Sequence, residues 1–399
     1  MIKDFWVENY YSIKDRQEMD FEVRPSEEEW MRVEAAHGVY LSKLAVIYGA
    51  NASGKSNMLK ALQNIFDLLF TARTNRNDKV LSGHPFALTA DKPTRMYVSF
   101  YTNSIRYDYT IEYNQRYIIS EKLDYYPRRS KALFYERHFR GEDEQAAIKF
   151  GPGIGIKQKS LDTIIQNTLN NHTVLSTYGK VSLSDDARPI ATLYHWIKNH
   201  VHGVMHMDDN SVVAQLQSVD KDPRRRKFYM QMLKKADFNI SDFHILSDGD
   251  KESVSFVNTT NKEYFELPDD SQSAGTIRYI TDLKYLYDAI TGSHIYMLDE
   301  LGEDLHYDLL LYYLNVFVYN SDNSQLIFTS QETSLLAENL FNEHRHNVWF
   351  VEKSHDTASS VYTRADDFGL HKNLSLYNSY RIGKLGAKPE LGSPFINLD

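Results

Sequence analysis

A chain of 399 residues, 42% hydrophobic and 25% charged, is long enough for a sizeable core and has the composition of a folded protein rather than a disordered one. It contains no cysteine, which excludes disulfide staples, thiolate chemistry and cysteine-ligated zinc and fits a reducing compartment. A net charge of -9 excludes a generally basic nucleic-acid coat but allows a local basic patch.

The start, Met1-Ile2-Lys3-Asp4-Phe5, has no signal-peptide apolar region. The longest apolar stretch, Leu309 to Val318, is interrupted by Asn315 and is too short to span a bilayer. A cytoplasmic protein without a membrane partner is expected. Residues 5 to 24 predict two short strands: Phe5-Trp6-Val7 leads into Tyr10-Tyr11-Ser12-Ile13, and Met19, Phe21 and Val23 alternate after a polar link. Pro25 to Glu29 is a solvated turn or helix start.

The apolar run Leu44-Ala45-Val46-Ile47-Tyr48 predicts a buried strand, and Asn57-Met58-Leu59-Lys60-Ala61-Leu62 opens a helix expected from about Ser56 to Thr71. Between them stands Gly49-Ala50-Asn51-Ala52-Ser53-Gly54-Lys55-Ser56, a G-x-x-x-x-G-K-S loop in the strand-loop-helix context the motif needs. Gly49 and Gly54 let the backbone amides turn inward, and the helix start adds its positive dipole end. Lys55 would bridge the β and γ phosphates of ATP, and Ser56 would place its hydroxyl on Mg2+. Asn51, Ala52, Ser53 and Asn57 complete the expected cradle.

From Arg95 to Tyr126 the pattern has period two, predicting an antiparallel hairpin with further strands through Lys131 to Tyr135. Its tyrosines are sheet cover or a base-stacking surface. Gly151-Pro152-Gly153-Ile154-Gly155 punctuates the chain, and the segment from about Gln158 to Phe238 is mostly helical by pattern. Within it, Arg224-Arg225-Arg226-Lys227 is either a solvated helix face or a contact for nucleic acid or an acidic partner. Strand signals return at Ser253 to Val257 and Tyr264 to Leu267. The last third then alternates: Ile277 to Ile290 helix, His294 to Leu298 strand, Leu305 to Val318 helix, and strands at Gln325 to Phe328 and Val348 to Val351. Such alternation implies a parallel sheet covered by helices.

Two further stretches carry chemistry. Tyr296-Met297-Leu298-Asp299-Glu300 is an apolar strand ending in two carboxylates; paired with the upstream glycine loop, Asp299 would hold Mg2+ and Glu300 would polarise the attacking water. Ser273-Ala274-Gly275-Thr276 opens a helix and offers a second anion site, or an ordinary N-cap. His344-Arg345-His346 lies in a polar stretch, where alternating residues are more often surface than a metal pair, and neither cysteine nor an acidic cluster supports ligation.

Taken together, the glycine loop, Ser273 to Thr276 and Leu298-Asp299-Glu300 resemble the P-loop, signature and strand carboxylates of bacterial SMC/ABC-like AAA ATPases. The resemblance is to the group encoded beside RloB-like TOPRIM proteins and in abortive-infection systems. Phe5 to Tyr10 with Ser12-Ile13-Lys14, Asn170 to Ser176, Trp349 to Lys353 and Tyr380 to Pro389 also resemble that group. The resemblance implies an α/β P-loop head of ABC/SMC type with an antiparallel β lobe and a helical insertion. The implied lobes are residues 1–155, 156–245 and 246–399. It also implies a homodimer whose composite sites pair Lys55 of one chain with Ser273 and Gly275 of the other, the loop Gly302 to His306 lining the partner's site. His306 is expected to cap or pack. The implied role is an ATPase that senses for, or gates, an effector nuclease in antiphage defence. The family places a histidine after the next strand; this chain has Gln331 there, whose neutral amide makes slow hydrolysis plausible. Two alternatives stay open: a DNA-binding repair ATPase, and an ATP-locked scaffold with little turnover.

Overall fold

The computed structural model describes residues 1–80, 83–128, 130–205, 212–236, 238–248, 251–389 and 395–396. Two large sheets face each other across a single helix, Lys55–Phe70. The first is six-stranded, in the order Val201–Met205, Ile295–Leu298, Gln325–Thr329, Leu44–Gly49, Val348–Lys353 and Ser360–Arg364. All of its pairings are parallel except the last. The second is seven-stranded and antiparallel, in the order Ala147–Phe150, Ala132–His138, Ile118–Tyr126, Ile105–Tyr113, Thr94–Thr102, Ile2–Glu8 and Gln17–Asp20.

Alternation along the strand Leu44–Gly49 sets up both cores. Ala45 and Ile47 face the helix Lys55–Phe70, joining Met297, Ile327, Phe5, Val98 and Phe100 in one cluster. Leu44, Val46 and Tyr48 face the other way, onto the helices Ala274–Thr291 and Tyr307–Asn320. Because Lys55–Phe70 is sandwiched between sheets, it buries residues on several sides, including Met58, Leu62, Ile65, Phe66 and Leu69. An apolar strand buried on both faces is what a parallel sheet covered by helices requires.

Two local expectations are corrected and one strand is added. Tyr10 to Ile13 is a tight turn closed by a Tyr10–Ile13 bridge, not a strand, with Asn9 and Tyr11 at φ of 56° and 48°. The segment expected to be helical holds, besides the helices Gln158–Asn167, Arg188–His200, Val212–Asp220 and Pro223–Lys235, a strand, Val201–Met205, that forms the edge of the parallel sheet. An additional strand, Ile240–Asp248, pairs with Lys251–Thr259 and, through it, Tyr264–Pro268 in a separate antiparallel sheet. No helix among the described residues is long and apolar enough to cross a membrane.

Candidate nucleotide-binding site

The strand Leu44–Gly49 ends at the centre of the sheet and turns through residues 50–54 into the helix that starts at Lys55. Ala52 at φ 61° and Gly54 at φ 112° give the loop its left-handed turn, the backbone shape that gathers amides around an anion. At Gly54 a side chain is excluded twice over, by the dihedral and because a Cβ would come within 2.2 Å of Ser360 Oγ. A cleft of ≈ 360 Å³ lies over this loop, lined by Asn51, Ala52, Gly54, Lys55, Ser56, Asn57 and Lys60 on one side and Glu300 and Gln331 on the other. The volume is in the range of small-molecule sites.

Lys55 Nζ donates to the carbonyls of Gly49 and Ala50 at 2.9 and 3.3 Å. Burial lowers its pKa below the ordinary lysine value, and Glu300 and Asp299 oppose that shift. A lysine held on backbone carbonyls at the helix start and lining the cleft fits a phosphate. Ser56 Oγ donates to Asp299 Oδ1 at 3.0 Å, and Thr329 Oγ1 donates to the same oxygen at 2.6 Å. This is an all-oxygen donor set at the mouth of the loop, suited to a hard cation such as Mg2+. Ser56 and Asp299 are therefore the residues that would hold it, and bound there it would neutralise charge on the terminal phosphates. Ser53 Oγ is buried without a partner, a further polar atom aimed within the loop.

Glu300 sits at φ 54°, uncommon for a residue with a side chain, and its backbone N–H donates to Thr329 Oγ1 at 2.8 Å. That turn swings the carboxylate over the cleft. Gln331 Nε2 donates to Glu300 Oε1 at 2.9 Å, so the two residues assigned to the water-activating end are in direct contact. The serine and glycine of the second anion motif are elsewhere. Ser273 is exposed and caps the helix Ala274–Thr291 by accepting from Thr276 N at 3.1 Å. Neither Ser273 nor Gly275 lines the P-loop cleft of its own chain. Gly275 instead packs on the loop after Glu300, where a Cβ would lie 2.6 Å from the Asp304 carbonyl. His306 caps its helix, accepting from Asp308 N at 3.3 Å.

Several residues around the loop carry no motif. Ser360 Oγ contacts Ser12 Oγ at 2.6 Å and donates to Ser53 O at 2.5 Å, Tyr362 Oη donates to Gly54 O at 2.6 Å, and Asn57 Nδ2 donates to Ser12 Oγ at 2.7 Å. The cradle is thus fastened from beneath by the N-terminal turn and by the last strand of the sheet. Thr329 joins Asp299 to Glu300, and its place at the end of the strand Gln325–Thr329, one strand from the glycine loop, is the signal by which it could have been found.

The fold and the cleft define a P-loop nucleotide-binding protein. A family model described as "AAA domain, putative AbiEii toxin, Type IV TA system" matches residues 44–337, from the P-loop strand to just past Gln331, and the chain belongs to that family. Its α/β P-loop fold with an antiparallel lobe is in keeping with the ATPase head expected from the sequence. Among solved structures, the crystal structure of the SmcHead bound to the C-winged helix domain of ScpA is similar at 12% identity, over 92% of this chain and 98% of that one, with a TM-score of 0.42. No curated protein matches.

Proposed function

We propose that this protein binds and hydrolyses ATP with Mg2+, closes on it as a homodimer, and uses the closed state to gate an effector nuclease of TOPRIM type in cytoplasmic antiphage defence. The observation carrying the nucleotide reading is the convergence of Lys55, Ser56, Asp299, Glu300 and Gln331 at one cleft from three separated stretches of chain. Dimerisation is supported by Ser273, an exposed helix N-terminal serine turned away from its own P-loop and therefore available to a second chain. The effector and the defence role rest on the sequence resemblance.

The test is to purify tagged Glu300→Gln protein with Mg·ATP from its native host. Retained ATP, a doubled mass and a stoichiometric polypeptide with nuclease activity are expected; normal turnover by this variant would remove Glu300 as the general base. An ATP-locked scaffold is the second reading, favoured by the Gln331–Glu300 hydrogen bond, which occupies one carboxylate oxygen with a neutral donor. The DNA-repair reading loses support. Arg225 pairs with Asp288 at 2.6 Å, and Arg226 pairs with Asp220 and Asp242, leaving Arg224 and Lys227 as the exposed cations of that run.

A further inference from the structure

The polar stretch around residue 345 behaves unlike a surface segment. His344 is 7% exposed and Arg345 8%. Arg345 turns its guanidinium away from its two neighbours and donates to the carbonyls of Asn342, Lys372 and Leu374, with longer bonds to those of Leu370 and His371. So anchored, it projects His344 and His346 together toward a third side chain, Glu27, which arrives 317 residues earlier in the sequence. His344 Nδ1 contacts Glu27 Oε1, and His346 Nε2 lies 3.6 Å from Glu27 Oε2. One ligand atom from each of the three lies within 4.8 Å of the others. His346 Nε2 is buried and makes no hydrogen bond. Trp30 packs edge-on against His344 at 5.1 Å between ring centroids, closing one side of the group.

We propose that Glu27, His344 and His346 form a zinc site, with water as fourth ligand, that ties the N-terminal segment to the parallel sheet. Two imidazoles and one carboxylate are a zinc donor set, and the mixed nitrogen and oxygen chemistry disfavours Mg2+, which prefers oxygen ligands in octahedral array. A tetrahedral ion with bonds of about 2.0–2.2 Å sets its ligand atoms roughly 3.3 Å apart, close to the 3.6 Å between His346 and Glu27. The positions of the ligands give the site its purpose. Glu27 lies between the strand Glu22–Val23 and the short 3-10 turn Glu29–Met31, while His344 and His346 immediately precede Val348–Lys353, the strand paired with the P-loop strand. The metal-free alternative is a His344–Glu27 ion pair that needs no ion, and the experiment separates the two.

The full-length protein, stripped with a chelator, is titrated with Zn2+ against a chromophoric competitor, and bound metal is counted after gel filtration. About one zinc per chain is expected, with a rise in melting temperature that Mg2+ does not produce. Loss of an outer-shell partner alone typically costs 10–100-fold in metal affinity, so Glu27→Gln and His346→Gln should each cost at least ~100-fold. ATP binding by both variants should be unchanged. If either variant fails to fold, His346→Cys decides the matter: the chain has no other cysteine, so a thiolate-to-Co2+ charge-transfer band can arise from this position alone. Substoichiometric zinc, undiminished zinc in both glutamine variants, or a His346→Cys protein that takes up Co2+ without that band would overturn the proposal.

Discussion

Lys55 donates to two carbonyls of its own loop, an arrangement that holds a cation only until a better anion arrives. Truncating one partner of a buried charge-assisted contact costs about 2–5 kcal/mol, so Lys55→Ala should weaken ATP binding at least ~30-fold, as measured by calorimetry. Unchanged affinity would place the nucleotide somewhere other than this cleft. Gln331 poses a different question, because its amide can orient Glu300 or a water but cannot become a cation. If that neutrality limits turnover, Gln331→His should raise steady-state phosphate release ~10-fold or more, within the range acid-base groups contribute. No change would show that Gln331 does not set the rate. Lys55 was legible because its motif is contiguous in the sequence, whereas Gln331 was reached only through the resemblance, which places a histidine there. Thr329, which holds Asp299 and the Glu300 backbone in register, was not named, although its place at the end of the strand next to the glycine loop could have pointed to it. The sequence set His344 and His346 down as more often surface than a metal pair for want of an acidic partner, and Glu27 could not be read as that partner because a carboxylate 317 residues away forms no local pattern.

At the scale of elements, the P-loop is only as stiff as the residues beneath it. Tyr362 Oη and Ser360 Oγ each donate to a carbonyl of the loop. Tyr362→Phe removes one such bond and should cost about 1 kcal/mol in chemical denaturation. Lys55 would then be held less firmly, and ATP affinity should fall with it; an unchanged midpoint would mean that the tyrosine hydroxyl bears none of the load. His172 offers a pH test of the stretch Asn170 to Ser176. Burial depresses its pKa to about 3, and its Nε2 contacts Thr177 Oγ1 at 3.2 Å. Below pH 6.5 the unfolded chain takes up a proton that the folded one refuses, so stability present at neutral pH is lost as pH falls toward 3. The slope from this group approaches about 1.4 kcal/mol per pH unit, and His172→Gln should flatten it in melting temperatures taken from pH 7 to pH 4. A slope that persists would assign the effect to other groups. The strands of the parallel sheet were readable as short apolar runs because they are buried on both faces. Tyr10 to Ile13 misled because aromatic composition favours a strand while the backbone turns at Asn9 and Tyr11. Val201–Met205 was hidden because it follows the helix Arg188–His200 without any intervening turn residue.

For the molecule as a whole, the packing of Gly275 on the Asp304 carbonyl places the Ser273 helix start and the loop after Glu300 side by side. A second chain meeting this face would contact both at once. Glu300→Gln protein should therefore shift from monomer to dimer mass in light scattering on adding Mg·ATP, and Ser273→Arg should prevent the shift while leaving ATP binding by the single chain intact. A dimer that forms regardless would require another interface. The strand Gln325–Thr329 gives such an event a route into the rest of the molecule. At its far end, Gln325 accepts from Ile2 N at 2.8 Å and donates to the carbonyls of Ile2 and Ser42 at 3.1 and 3.2 Å. At its near end, Thr329 Oγ1 donates to the Asp299 carboxylate and accepts from the backbone N–H of Glu300. Five residues thus tie the cleft to the antiparallel lobe: the strand that holds Asp299 at one end is hydrogen-bonded at the other to Ile2, where the first strand of that lobe begins.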